Sequence, residues 1–192
     1  ALAPDLYHGD TASTDDEAVR LRFELEDDDV RRKLAAAVHS LSKNAAVRGP
    51  LRGVVGFSLG AHLALRLARS NPDKVRAVVV FYANDGGSFD GAQAAFLGHF
   101  AADDGCWVGA SAVASLEARL RVAGCEVTFH TYPGTRHSFF EADRPDAYDA
   151  EAAELAWERT LDFLRSKLGW TRHSVRTMIW PNAVHLGRAP IP

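Results

Sequence analysis

Cysteine is scarce in this chain: two in 192 residues, Cys106 and Cys125, with no C-x-x-C and no Cys/His spacing of the kind that ligates metal. That excludes a disulfide scaffold and a zinc module, and makes a reducing cytoplasm the default compartment. Charge of one sign is scarce too. Twenty-two basic residues stand against 25 acidic ones, a net −3, so neither a nucleic acid nor an acidic membrane surface is expected as the main partner. Apolar runs are short, and none approaches the roughly 18–20 residues that span a bilayer. The opening Ala1-Leu2-Ala3-Pro4-Asp5 has neither an initiator Met nor a basic-then-apolar leader, and reads as the inside of something longer. What is present is average: 47% hydrophobic and 24% charged residues, which suits one compact domain and not two large ones.

Along the chain, Pro4 to Gly9 is apolar and ends in turn residues, as a strand does on entering a loop. Residues 10–15 offer helix N-caps, and Asp16 to Lys43 reads as helical with a break near residues 26–29. In its second half Val30, Leu34, Ala37, Val38 and Leu41 recur every three or four positions, predicting one buried face. The acidic run at 26–29 suits a helix N-terminus. Strands are predicted at 51–57, 76–82, 95–100 and 125–132, and helices at 59–70, 109–123 and 147–167. Strand and helix alternate, which implies an α/β domain over residues 1–167 with a mostly parallel sheet covered on both faces. Residues 168–192 lose all periodicity and read as an irregular tail, with one short strand at 175–180.

Between the strand at 51–57 and the helix at 59–70 lies Gly56-Phe57-Ser58-Leu59-Gly60, a G-x-S-x-G. A sharp strand-to-helix turn lifts the serine Oγ above the carboxyl end of the sheet, and the glycines let the chain pass closely. The helix N-terminus behind it aims free backbone N–H groups at any anion formed there. A serine hydroxyl needs a base, and the base needs an orienting group. His39 and His62 lie in predicted helices, His99 and His130 in strands, and His173 and His185 in the tail. His8 and His137 both follow strands, and the order Ser, acid, His selects His137. Asp103 and Asp104 lie where the acid should be, after a strand, with Asp85 and Asp90 as weaker candidates.

Four segments, Ala3-Pro4-Asp5-Leu6-Tyr7, the elbow at 56–60, Leu97-Gly98-His99-Phe100-Ala101 with Asp104, and Tyr132 to Phe140, together resemble the dienelactone hydrolase family of α/β-hydrolases. The resemblance runs over roughly residues 1 to 167. It implies Asp104 as the acid, His137 as the base and the Leu59 N–H as one oxyanion donor. It also implies an α/β-hydrolase fold that lacks the N-terminal strands, and in relatives the loop after the last of these supplies the second oxyanion donor. Two further departures bear on chemistry. Many members carry cysteine where this chain has Ser58, which favours ordinary ester hydrolysis. Members that cleave dienelactone place an arginine four residues after the histidine, to pair with the substrate carboxylate; here that residue is Glu141, which repels it.

The expectation is a serine hydrolase of small carboxylic esters or lactones using Ser58, His137 and Asp104, with no metal or organic cofactor. Tyr7, Trp107, Arg136 and Phe140 are expected to line its pocket, ahead of Phe89 and Phe139. The expected partner is the small-molecule substrate, with a homo-oligomer or a complementing N-terminal segment as a further expectation. The rival expectation is a non-catalytic or partner-dependent hydrolase fragment with an incomplete oxyanion hole.

Overall fold

A computed structural model describes residues 1–47, 52–105 and 107–169, which fall into two compact units divided near residue 49. In the first unit two helices form, α1 (Asp15–Phe23) and α2 (Asp27–Lys43). Thr14 caps α1 by accepting from the Glu17 N–H at 3.2 Å, and the Glu17 carboxylate reaches back to the Ser13 N–H at 2.7 Å, so one orphan donor of the first turn and the N–H of the residue before the cap are both satisfied. Three aspartates open α2, where the helix dipole favours them. The apolar face expected on α2 is there, although only Val30 is buried outright and Leu34, Ala37, Val38 and Leu41 are half-buried.

No strand forms over residues 4–9. Local turn chemistry wins instead: Asp5 Oδ1 accepts from the Tyr7 N–H at 2.8 Å, the Asp10 N–H bonds to the Tyr7 carbonyl at 3.0 Å, and His8 and Gly9 take φ of 57° and 89°. Lys33 fixes this segment to α2, donating to the Leu6 carbonyl at 2.6 Å and pairing with Asp29 at 3.1 Å. The Lys33 hydrogen bond holds the Asp29 carboxyl below the usual range.

The second unit is an α/β layer structure. Its strands are β1 (Arg52–Phe57), β2 (Val75–Phe81), β3 (Ala95–Asp103) and β4 (Val127–Arg136), all parallel in the order β1-β2-β3-β4. Helix α3 (Leu59–Ser70) follows β1, α4 (Ala110–Val122) follows β3, and α5 (Ala150–Leu168) follows β4. Strand β2 shows why both faces are apolar. Val78 and Val80 point into one core with Leu65, Ala68, Leu116 and Leu120, while Ala77, Val79 and Phe81 point into the other with Ala156 and Leu164. A strand with helices on both sides has no polar face to alternate with.

Two boundaries differ from expectation for identifiable reasons. Strand β4 runs on through Pro133 and Gly134 to Arg136, residues that read as loop. Proline is tolerated where no partner lies beyond, and β4 pairs only with β3 among the described residues. Helix α5 begins at Ala150, not 147, because Asp149 caps it by accepting from the Ala152 N–H at 2.9 Å. The tail beyond 169 and its expected strand at 175–180 lie outside the described residues.

One polar cluster sits deep in the α5-side core. His99, fully buried on β3, shares hydrogen bonds through Nδ1 with the Tyr132 hydroxyl at 2.8 Å and through Nε2 with Thr160 Oγ1 at 3.0 Å. Arg159 donates to the same Tyr132 oxygen at 3.2 Å and its guanidinium lies 5.5 Å from that ring's centroid. The cluster ties β3, β4 and α5 together below the carboxyl ends of the strands. Burial pushes the His99 imidazole down to about 3, with His130 and Arg159 adding to the effect.

Candidate active site

The carboxyl end of the sheet brings together residues from four chain segments. At the end of β1, Ser58 adopts φ 48° and ψ −115°, a strained backbone for a residue with a side chain. The turn is pinned on its far side by the Ser58 N–H bonding to the Phe81 carbonyl of β2 at 3.1 Å. Gly56 is where the chain passes closely: a Cβ there would lie 2.3 Å from the Gly60 carbonyl oxygen and 2.5 Å from the Ala61 nitrogen. Gly60 itself faces open space outside its own helix, so the crowding that demands a glycine falls on the first of the pair. Leu59 and Gly60 head α3, where backbone N–H groups have no intrahelical acceptor.

Across from Ser58, His137 follows directly on β4. The Ser58 Oγ stands 3.2 Å from His137 Nε2, and His137 Nδ1 stands 2.8 Å from Asp104 Oδ1. With the proton on Nδ1, Nε2 faces the serine as an acceptor. Asp104 follows directly on β3, its side chain 1% exposed. The same Oδ1 accepts from the Val108 N–H at 3.2 Å, which orients the carboxylate. The indole of Trp107, a residue 62% exposed, lies 5.5 Å from the His137 ring at an interplanar angle of 31°.

The competing residues are elsewhere. Asp103 is exposed, as is Asp90; Asp85 is buried in an ion pair with Arg69 at 2.9 Å. His62 bonds through Nδ1 to the Asn84 carbonyl at 3.1 Å, His99 lies in the core, and His8 and His39 belong to the first unit. His173 and His185 are outside the described residues, as is Cys106. Among the described residues no cluster of three His, Cys, Asp or Glu could hold a metal ion, and no helix is long and apolar enough to cross a membrane.

The expected pocket residues divide. Phe140 is half-buried and stacks on Phe57, the residue before the serine, at 5.2 Å, with Trp157 of α5 beyond it at 6.0 Å. Arg136 is exposed at the end of β4, and Tyr7 belongs to the first unit. Phe89 and Phe139 are buried in the two cores.

Tyr82, beside the histidine, escaped sequence reasoning, and its partner Glu141 was read only in part. Tyr82, the first residue after β2, is fully buried at φ 41°, with its ring 4.8 Å from that of His137. Its hydroxyl donates to Glu141 Oε1 at 2.9 Å. Burial above all, and then the Glu141 charge, hold that hydroxyl well above the usual phenol range, so it stays a donor. Glu141 could be found from its offset of four after His137; nothing local in the sequence marks Tyr82.

Comparison with known proteins bears on the family and the fold. A curated relative from Aquifex pyrophilus, Protein usf, is 30% identical over 173 residues, covering 88% of this chain and 75% of its own. A relative from Aquifex aeolicus, named provisionally as a carboxymethylenebutenolidase, is 28% identical over the same coverage. Among solved structures, a dienelactone hydrolase-like promiscuous phosphotriesterase from metagenomic libraries superposes with a TM-score of 0.68 at 20% identity, covering 81% of this chain and 68% of that one. The dienelactone hydrolase of Anabaena variabilis gives 0.55 at 21% identity, over 81% and 69%. These likenesses support the α/β-hydrolase fold, and a family model matches residues 1–168: the chain belongs to the dienelactone hydrolase family of α/β-type hydrolases.

Proposed function

We propose that this chain is a serine hydrolase that cleaves small, uncharged carboxylic esters or lactones through an acyl-enzyme. The observation that carries the reading is the unbroken chain of contacts from Ser58 Oγ through the His137 imidazole to Asp104, at 3.2 and 2.8 Å. Ser58 Oγ bonds to the substrate carbonyl carbon as His137 Nε2 takes its proton. The carbonyl oxygen becomes an oxyanion that the Leu59 N–H can meet at the head of α3. Collapse of this adduct breaks the bond to the leaving oxygen, which takes the proton from His137. A water, deprotonated by the same nitrogen, then releases the acid and restores Ser58. Asp104 keeps the ring in the tautomer that accepts at Nε2, and stabilises the imidazolium in between.

Names of relatives, a carboxymethylenebutenolidase and a lactonase from Bradyrhizobium among them, support the ester and lactone class. Charge argues for the uncharged members of that class. Glu141, bonded to the Tyr82 whose ring lies beside the histidine, stands four residues after His137, where members that cleave dienelactone place the arginine that pairs with the substrate carboxylate, and a like charge there lowers affinity for an acyl carboxylate. The half-buried Phe57 and Phe140 pair offers an apolar wall to an acyl chain instead. With p-nitrophenyl butyrate and p-nitrophenyl hemisuccinate as a matched pair, the neutral ester is expected to have the higher kcat/KM by about tenfold, about 1.4 kcal/mol of discrimination. Glu141→Gln is expected to narrow that ratio several-fold. A preference for the hemisuccinate, or a ratio indifferent to Glu141→Gln, contradicts the substrate reading.

A further inference from the structure

Four non-glycine residues are left-handed among those described, and three of them, Ser58, Tyr82 and Ser138, follow or closely follow strands at the same end of the sheet. Ser58 has its reason in the turn it makes, and Ser138 is the residue after the histidine. Tyr82 has no such excuse, since a bulky aromatic at φ 41° is held there against its own preference. Its backbone N–H is pinned to the His99 carbonyl at 2.8 Å, and its hydroxyl is pinned to Glu141 Oε1 at 2.9 Å. Phe139 packs edge-on against its ring at 5.7 Å. Glu141 is itself held in a turn by its N–H bonding to the Ser138 carbonyl at 2.9 Å. What this anchoring presents is the ring, 4.8 Å from the His137 imidazole and tilted 56° to it.

We infer that Tyr82 and Glu141 act as one positioning pair for His137, holding an electron-rich ring against the imidazole to steady the cation that forms when it takes the serine proton. The inference rests on the functional reading above. An aromatic ring attracts a cation near its face through its quadrupole. A phenol whose O–H is donated to a carboxylate carries more electron density in the ring, so Glu141 acts on His137 through Tyr82. Asp104 holds one ring nitrogen, Ser58 meets the other, and Tyr82 and Trp107 are the aromatic rings beside the imidazole.

A hydrogen bond that merely satisfied a buried hydroxyl would matter to folding alone. The pair predicted here matters to kcat. Tyr82→Phe, which keeps the ring, and Glu141→Gln, whose amide oxygen still accepts the hydroxyl, are each expected to lower kcat on a neutral ester about three- to tenfold. KM should stay within about twofold and Tm within a few degrees, because ring and packing are retained. The double variant should be no slower than Tyr82→Phe, since without the hydroxyl Glu141 has no route to the ring. Single variants at the wild-type kcat, effects that multiply, or losses confined to KM overturn the inference. Ser58→Ala run alongside separates the two claims: if it is inactive while Tyr82→Phe is unimpaired, only the pair is wrong. If Ser58→Ala keeps the wild-type rate, the functional reading falls and takes this inference with it.

Discussion

Asp104→Asn is expected to lower kcat on a neutral ester by about 10³- to 10⁴-fold, the scale known for losing the correct tautomer in such an arrangement, while leaving the fold intact. Asparagine has nearly the same shape and keeps the packing, although Oδ1 is also the atom that accepts from the Val108 N–H at 3.2 Å, a contact that an amide N–H₂ in its place gives up. What changes is the partner of His137 Nδ1, now 2.8 Å from a carboxylate oxygen. If the asparagine amide N–H₂ takes that place, Nδ1 must accept, the ring proton moves to Nε2, and the histidine presents a donor to Ser58 where it needs an acceptor. The imidazolium also loses its counter-charge in a place where the carboxylate is 1% exposed, so water cannot substitute for it. Asp103→Asn, one residue earlier and exposed, is expected to stay within about twofold of wild type, as surface substitutions usually do. Steady-state kinetics on both variants decide the assignment, and an Asp104→Asn rate within tenfold of wild type contradicts it.

The second large effect is on stability. Burial lowers His99 from 6.5 to about 3, so the folded protein holds the ring neutral where the unfolded chain would protonate it. For a group whose folded value is depressed, stability is fully present above the unfolded value and is lost as pH falls from there toward the folded one. Between pH 7 and pH 5 the loss amounts to about 2 kcal/mol, at about 1.4 kcal/mol per unit once the unfolded ring is mostly protonated. His130, lowered in the same direction chiefly by burial, adds to it. Urea unfolding at the two pH values should show the midpoint falling in acid. His99→Gln, which cannot titrate, should be less stable at pH 7 but show a shallower fall. Equal midpoints for the wild type, or an undiminished fall in the variant, would contradict the burial account.

Much of this candidate site is legible in the sequence alone. The G-x-S-x-G turn carries its own context, a buried strand before and a helix after, because only that geometry needs a glycine where Gly56 meets the Gly60 carbonyl. His137 and Asp104 were legible because the carboxyl ends of parallel strands converge, so position after a strand is already a statement about space. Choosing Asp104 over Asp103 took the family resemblance, since adjacent residues leaving a strand face opposite ways and no local signal says which faces in. The segment at 4–9 misled because its apolar residues resemble a strand, while Asp5 and the His8-Gly9 pair close turns that an alternation count cannot see. Pro133 and Gly134 misled in the opposite sense, since turn residues are permitted in a strand that, among the described residues, has a neighbour on one side only. Tyr82 and the His99 cluster were out of reach. Their partners, Glu141, Tyr132 and Thr160, lie 33 to 61 residues away in sequence, and only the packed sheet brings them close.

The central claim is that Ser58 is a nucleophile activated by His137. Exposing the folded protein to a fluorophosphonate and measuring its intact mass, followed by peptide mapping, tests that claim directly. The account predicts one covalent adduct, located on Ser58, absent in Ser58→Ala and formed at least about a hundredfold more slowly in His137→Ala, as expected for loss of a general base. No adduct on the folded wild-type chain, or an adduct on another residue, would contradict it.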